Sequence, residues 1–241
     1  MKRLAIIPAR GGSKRIPNKN IRDFCGQPMI THVLSAARNS SLFSAIHVST
    51  ESKSVREVAT SFGFPPDFSR PEALADDQTP IMPVLRYVTE EYARSGQHFD
   101  EIWLLMACAP LIKSSDLIAA ARLFSEKGSS SPVLAVVEYP VPIEWAFRLS
   151  KVGLLKAVQP GSFAVRSQDI EKAYFDSGSF AVFPSSRILS SGGEGSDEDF
   201  IGYVLSKNAA IDIDDEEDWK VAESLFSTTK GRQNTTSIDR S

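Results

Sequence analysis

Short runs of β-branched and apolar residues alternate along this chain with segments of helical apolar spacing. That alternation is the pattern of βαβ units around a mostly parallel sheet. Leu4–Ile7 is a continuous apolar run stopped by Pro8, as expected of a strand covered on both faces. Ile30, Val33, Leu34 and Ala37 then recur at helical spacing after Pro28, a favoured first-turn residue. The same reading predicts strands at Ala45–Ser49, Ile102–Ala107, Val133–Val137, Tyr203–Leu205 and Ala210–Ile213. It predicts helices at Ser54–Phe62 and Pro83–Ala93, one capped by Ser115 or Asp116 and running through Phe124, and one at Glu216–Phe226. At 241 residues this amounts to one α/β domain over residues 1–226. Residues 140–184 break the rhythm with irregular spacing and three prolines (Pro140, Pro142, Pro160). They are read as an inserted arm that joins two copies of the chain. Residues 227–241 are polar without a periodic apolar face and are expected to form a disordered tail.

Lysine and arginine total 27 against 30 acidic residues, a net charge of −3. A protein that coats nucleic acid is not built this way, so any anion site must be local. The apolar stretch at the start is too short for a secretory signal and ends at Arg10. No run approaches the ~18 apolar residues of a membrane span. Two cysteines, Cys25 and Cys108, make no disulfide framework, and no Cys/His spacing resembles a zinc site. A soluble cytoplasmic protein is expected, with neither a nucleic acid nor a membrane as partner.

The segment Arg10-Gly11-Gly12-Ser13-Lys14-Arg15-Ile16-Pro17-Asn18-Lys19-Asn20 leaves the carboxyl end of the first strand. In open α/β sheets, ligands bind at that edge. Arg10, Lys14, Arg15, Lys19 and Arg22 all precede the first acid, Asp23, which points to a compact polyanionic ligand. Gly11 and Gly12 allow close backbone approach and direct N–H groups at phosphate oxygens. Neither G-x-x-x-x-G-K-[ST] nor G-x-G-x-x-G is present, which disfavours P-loop and standard dinucleotide folds. The plainer alternative is a solvated basic turn.

Near the other end, Ala210-Ile211-Asp212-Ile213-Asp214 alternates with period two. On a strand, Asp212 and Asp214 share a face with Cα atoms ~6.6 Å apart, a spacing at which both carboxylates can meet one hard cation. Without a cation the pair repels and one member tends to keep a proton. Magnesium bridging these carboxylates to nucleotide phosphates is the economical reading. Asp215, Glu216, Glu217 and Asp218 are explained instead as the acidic first turn of a helix, with Trp219, Ala222 and Phe226 on its buried face.

Smaller signals accompany these two. Arg70 lies in a loop after a Pro-Pro turn, and the segment to Pro80 carries three acids. Ala107-Cys108-Ala109-Pro110 ends a strand with small residues, as close approach by a ligand or another backbone requires. Phe175-Asp176-Ser177-Gly178-Ser179-Phe180 reads as a hairpin-like turn whose Asp and Ser suit a polar substrate, although Asp is also an ordinary turn residue. His32, His47 and His98 are scattered and read as structural, so no histidine is assigned as general base.

Ile7-Pro8-Ala9-Arg10-Gly11-Gly12-Ser13-Lys14 followed by Lys19-Asn20 resembles the opening motif of the acylneuraminate cytidylyltransferases. Arg70-Pro71, Ile211-Asp212-Ile213-Asp214 and Glu217-Asp218-Trp219 match later family motifs in order, so the resemblance spans roughly residues 3–226. It implies a Rossmann-like nucleotidyltransferase domain of GT-A-like, three-layer form, with an arm that completes a homodimer. It also implies coupling of CTP to a nine-carbon 2-keto sugar acid with release of pyrophosphate. By resemblance, Arg10, Gly11, Gly12, Ser13, Lys14 and Lys19 hold the CTP phosphates, and Asn20 and Arg70 hold ribose and base. Asp212 and Asp214 hold magnesium, with Lys19, Arg10 and Asp214 placed closest to the chemistry.

The strand before Pro110 reads Leu104-Leu105-Met106-Ala107-Cys108-Ala109. The glutamine usual in the sialic acid enzymes is replaced by Met106. Ala-x-Ala-Pro together with Asp176-x-Gly178 is similar instead to the branch that activates pseudaminic acid. That branch usually has Thr at the position of Cys108 and Gln at that of Ser179. Ala107, Cys108, Asp176 and Ser179 are the expected sugar contacts. The alternatives are sialic, legionaminic or KDO acid as substrate, a metal-dependent glycosyl transferase, or a non-catalytic nucleotide-binding protein.

Overall fold

The computed structural model describes residues 1–190, 199–209 and 211–236, with side chains through residue 228. In chain order the elements are β1 (Arg3–Pro8), β2 (Asp23–Phe24), β3 (Gln27–Pro28), α1 (Met29–Ser40), β4 (Ala45–Ser49), α2 (Lys53–Ser61), α3 (Ile81–Arg94) and β5 (Glu101–Leu105). Then follow α4 (Ser114–Glu126), β6 (Val133–Glu138), β7 (Phe147–Leu149), β8 (Leu155–Ala157), β9 (Tyr174–Pro184), α5 (Ser185–Ser190), β10 (Ile201–Val204) and α6 (Glu216–Thr236). Among the described residues no helix is long and apolar enough to cross a membrane.

Six strands form the central sheet in the order β10-β6-β9-β5-β1-β4. β1 pairs in parallel with β4 and β5, and β10 in parallel with β6. Each strand's two-residue period sorts side chains into two layers. Ala5 and Ile7 of β1 pack with Val33 and Leu34 of α1, Val55 of α2 and Phe124 of α4. Leu4 and Ile6 face the other way, onto Leu85, Val88 and Tyr92 of α3 and Ile188 of α5. This double cover is why Leu4–Ile7 reads as an unbroken apolar run, and it makes a three-layer α/β fold. From β1 the chain steps outward to β4, then crosses to β5 on the other side of β1. The switch point falls beside the carboxyl ends of β1 and β5, the edge where such sheets bind ligands.

Four expectations need correction. The stretch Phe175–Phe180 is not a hairpin turn but lies inside the eleven-residue β9, which runs antiparallel between β5 and β6. The turn-forming residues instead make an irregularity in the strand. Gly178 has φ +62°, and the register with β6 shifts between Leu134 and Val136, as at a bulge. The segment that leaves the sheet is therefore shorter than residues 140–184, ending where β9 begins at Tyr174. Ile211–Asp214 is a loop rather than a strand, and Ala210 lies outside the described residues. The helix at the end does not stop near Phe226. Its backbone continues to Thr236, with the Ser227 and Thr228 hydroxyls donating back to Glu223 O and Ser224 O at 2.9 Å. Of the expected tail, residues 237–241 lie outside the described residues.

Ile213 and Ile16 are fully buried together with Phe24, Met29, Trp219 and Ala222 in a third cluster. Arg22 reinforces it, with its guanidinium 4.5 Å from the Trp219 ring centre and bonded to Glu216. Ile213→Ala should lower unfolding free energy by about 2–5 kcal/mol through lost burial and a residual cavity. Urea denaturation of the two proteins measures this, and an unchanged midpoint contradicts the anchoring role.

Candidate active site

The loop after β1 is fixed at its start and in its middle. The Ala9 N–H donates to Ser49 O at 2.9 Å, and the Gly11 N–H donates to Glu51 Oε1 at 2.7 Å. A Cβ on Gly11 would lie 2.9 Å from Ser52 Cβ, so only glycine fits there. The glycine is thus explained by close packing on Ser52 at the start of α2, and its amide is held by a carboxylate rather than turned to a ligand. Gly12 has open space around it. Further on, Ile21 and Arg22 donate their N–H groups to Asn18 O at 2.9 Å. This tight turn, with Asn18 at φ 54°, carries Lys19 over the buried Ile16.

Lys19 crosses to the acidic loop. Its Nζ bonds Ile213 O and lies 3.7 Å from Asp214 Oδ1. Arg15 reaches the same Asp214 oxygen at 2.9 Å. Basic and acidic loops thus meet across one cavity of about 600 Å³, lined by Arg10, Ser13, Lys14, Lys19, Asp212 and Asp214, among others. Asn20, Arg70, Ala107 and Cys108 also line it, whereas Gly11, Gly12, Asp176 and Ser179 do not. The Ser179 hydroxyl is buried against the Ser177 hydroxyl at 2.5 Å, and Ser177 donates on to Ala135 O at 2.7 Å. The expectation that Ser179 meets substrate is therefore corrected, since a strand residue alternates inward where a turn residue would not. Asp176 is exposed and accepts the Gly178 N–H at 2.9 Å. From that turn it is Gly178 that reaches the cavity.

Asn20 is held at both ends of its amide. Nδ2 donates to Arg10 O at 2.8 Å, and Oδ1 accepts from the Cys108 thiol at 3.1 Å. Arg70 is buried with Nε on Ser49 Oγ at 3.1 Å and Nη2 on Ser49 O at 2.6 Å. Burial pulls its pKa down while the Glu51 charge opposes that shift. Asp212 is pushed above the usual carboxylate range by desolvation first and then by Asp214. None of the three histidines lines the cavity. His47 is buried with its pKa lowered by burial to about 4, so the ring is neutral near pH 7.

The cavity also includes residues that the sequence did not single out: Leu74, Asp77, Thr79, Ile81 and Val84. Asp77 belonged to the acidic stretch before Pro80, a visible signal without a direction. Glu51 carried no signal at all, because its partners Gly11 and Arg70 are brought to it only by the sheet.

A charged cavity of both signs at the switch point of an α/β sheet is a ligand site of the kind such sheets carry. The cytidylyltransferase family profile matches residues 4–138, more than half of the chain. The chain is 35% identical to the pseudaminic acid cytidylyltransferase of Campylobacter jejuni over 94% of its own length and 97% of that protein. It is 31% identical to the CMP-N,N'-diacetyllegionaminic acid synthase of Legionella pneumophila, again covering 94% of the chain and 97% of that protein. Among solved structures, a CMP:2-keto-3-deoxy-manno-octonic acid synthetase complexed with CTP aligns with TM-score 0.70 at 15% identity, over 95% of this chain and all of that one, a likeness of fold. The chain belongs to the cytidylyltransferase family and is a nucleotidyltransferase.

Burial drives the Cys108 thiol up to about 11, so it is protonated at neutral pH and unreactive despite lining the cavity. Alkylation of Cys108 by iodoacetamide, followed by mass spectrometry, should rise about tenfold per pH unit between pH 7 and 10. Fast, pH-independent labelling at pH 7 contradicts this.

Proposed function

We propose that this protein transfers the cytidylyl group of CTP to the anomeric hydroxyl of a nine-carbon 2-keto sugar acid, pseudaminic acid in the first instance, and releases pyrophosphate. The observation that carries this reading is the single cavity in which the Arg10–Lys19 loop faces Asp212 and Asp214. In the reaction a bond forms between the anomeric oxygen and the α-phosphorus, the hydroxyl proton passes to solvent, and the bond from that phosphorus to the β-phosphate's bridging oxygen breaks. Such chemistry depends on positioning and charge neutralisation more than on covalent help. Arg10, Ser13, Lys14 and Lys19 hold the phosphates and stabilise charge as pyrophosphate departs. Asn20 and the buried Arg70 hold ribose and base. Ala107 and Cys108 form the sugar side.

The donor set fits magnesium. Asp212 and Asp214 share the cavity, and their mutual repulsion is relieved by a cation. Two carboxylates would leave the rest of the coordination shell to waters and phosphate oxygens, as magnesium prefers. Asp212 and Asp214 would hold it, and when bound it would neutralise charge on the phosphates.

Pseudaminic acid is favoured by the 35% identity to the Campylobacter enzyme, and the legionaminic acid relative at 31% keeps that sugar as the second reading. A panel of nonulosonic and KDO acids with CTP, scored for pyrophosphate release, should give the highest kcat/KM with pseudaminic acid and none after chelation of divalent cations. Asp214→Asn should reduce kcat on the order of a hundredfold or more with an unchanged fold. Near-normal turnover removes the metal assignment, and no release with any acid favours a non-catalytic nucleotide-binding protein. A cytoplasmic location follows from this reading, since a nucleoside triphosphate is available there.

The segment between β6 and β9 presents Leu149, Val152, Leu154, Leu155 and Phe163 to solvent at 64 to 80% exposure. Large apolar side chains left this exposed within one segment suit an interaction site, and a second copy of the chain is the proposed occupant. Sedimentation should show a dimer for the native protein and a monomer for Leu149→Asp combined with Leu155→Asp. A native monomer contradicts the homodimer.

A further inference from the structure

Two of the cations assigned to phosphate are already engaged in the protein itself. Arg10 Nη1 pairs with Asp77 Oδ1, and Lys14 Nζ pairs with Asp77 Oδ2. One carboxylate thus bridges two cations through its two oxygens, as a phosphate group would. Asp77 sits on the stretch before α3, and its neighbour Asp76 shapes that stretch. Asp76 Oδ1 accepts the Gln78 N–H at 2.9 Å, the Thr79 N–H at 2.6 Å and the Thr79 hydroxyl at 2.7 Å. With Asp76 committed to the turn, Asp77 extends to the basic loop on the far side of the cavity that both line.

The pair is built for exchange rather than for stability. Side-chain exposure is 36% for Arg10, 81% for Lys14 and 37% for Asp77. By contrast the Glu101 carboxylate paired to Arg3 is only 1% exposed and also accepts the Trp103 N–H at 3.0 Å. Ion pairs open to water contribute little to folding and separate at small cost. The carboxyl of Asp77 is held below the usual range by Lys14 first and then Arg10, so it is ionised wherever the enzyme works.

We infer that Asp77 is an internal stand-in for a phosphate group: it occupies Arg10 and Lys14 in the free protein, gives them up when the triphosphate binds, and takes them back as pyrophosphate leaves. This rests on the reading that the basic loop holds the CTP phosphates. Asp77 takes no part in the displacement at phosphorus. It weakens the hold on polyphosphate and so limits product retention, while keeping the two cations from trapping unrelated anions.

Calorimetric titration of inorganic pyrophosphate and of CTP into the full chain tests this. Asp77→Asn should bind pyrophosphate about three- to tenfold more tightly than the native protein, on the scale of losing two exposed charge pairs, and Asp77→Glu should stay within about twofold. The gain should shrink as salt rises and should vanish when Arg10 and Lys14 are both replaced by Gln. Equal or weaker binding by Asp77→Asn overturns the inference, as does a gain that persists without Arg10 and Lys14. A native protein that binds neither ligand overturns the phosphate-site reading itself, a result separable from the first two.

Discussion

Ile16 lies in the basic loop and Ile213 in the acidic loop, and both are fully buried in the same small cluster with Phe24, Met29 and Trp219. Loops carrying opposite charge attract each other only weakly through water, and that attraction sets neither distance nor direction. Burial of one isoleucine from each fixes both. With the two apolar side chains inside, Lys19 lies against Ile213 O and Asp214, and Asp212 is left at the cavity wall. A nonpolar contact between residues almost two hundred positions apart therefore sets the geometry of a charged site.

Four of the cations lining this cavity are already paired within the protein before any ligand arrives. Arg10 and Lys14 are matched by Asp77, and Arg15 and Lys19 by Asp214. Asp212 makes none of the described ion pairs, and it is the carboxylate whose pKa rises. On the proposed reading, a triphosphate entering with a cation would exchange partners with these shared carboxylates. The anion would take over cations from Asp77, and a divalent cation, if held as proposed, would relieve the repulsion between Asp212 and Asp214. Binding in such a site depends on the difference between two sets of charge pairs, which suits an enzyme that must release pyrophosphate as well as capture CTP.

The sheet was largely legible in the sequence because burial on both faces leaves an unbroken apolar signature, as at Leu4–Ile7, and because helix apolar spacing is regular, as in Ile30–Ala37. The reading failed where one local pattern fits two structures. Asp176-Ser177-Gly178 has the chemistry of a turn, yet pairing with β5 and β6 on both sides makes it an irregularity inside β9. Ile211-Asp212-Ile213-Asp214 alternates like a strand, yet a loop with one buried isoleucine satisfies the same alternation without a ladder. In the site, the residues carried by the Ile7–Asn20 motif and by Asp212 and Asp214 were visible as charge clusters. Asp77 and Glu51 were not, since their importance lies in partners 60 or so and 40 positions away, and no local spacing encodes such pairs.

Glu51 shows how such a long-range pair ties the walls of the cavity together. Its Oε1 holds the Gly11 amide and its charge supports the Arg70 guanidinium, whose burial would otherwise favour loss of the proton. Its other oxygen is buried without a hydrogen-bond partner, a situation that typically costs about 1–3 kcal/mol. Replacing Glu51 with a neutral residue would remove that cost, but it would leave a buried arginine with its nearest counter-charge gone and the Gly11 turn unpinned. The carboxylate is best understood as a support for the site kept at some expense to the fold. It keeps the end of β4, the basic loop and Arg70 in one arrangement, so two walls of the cavity are held by the same group.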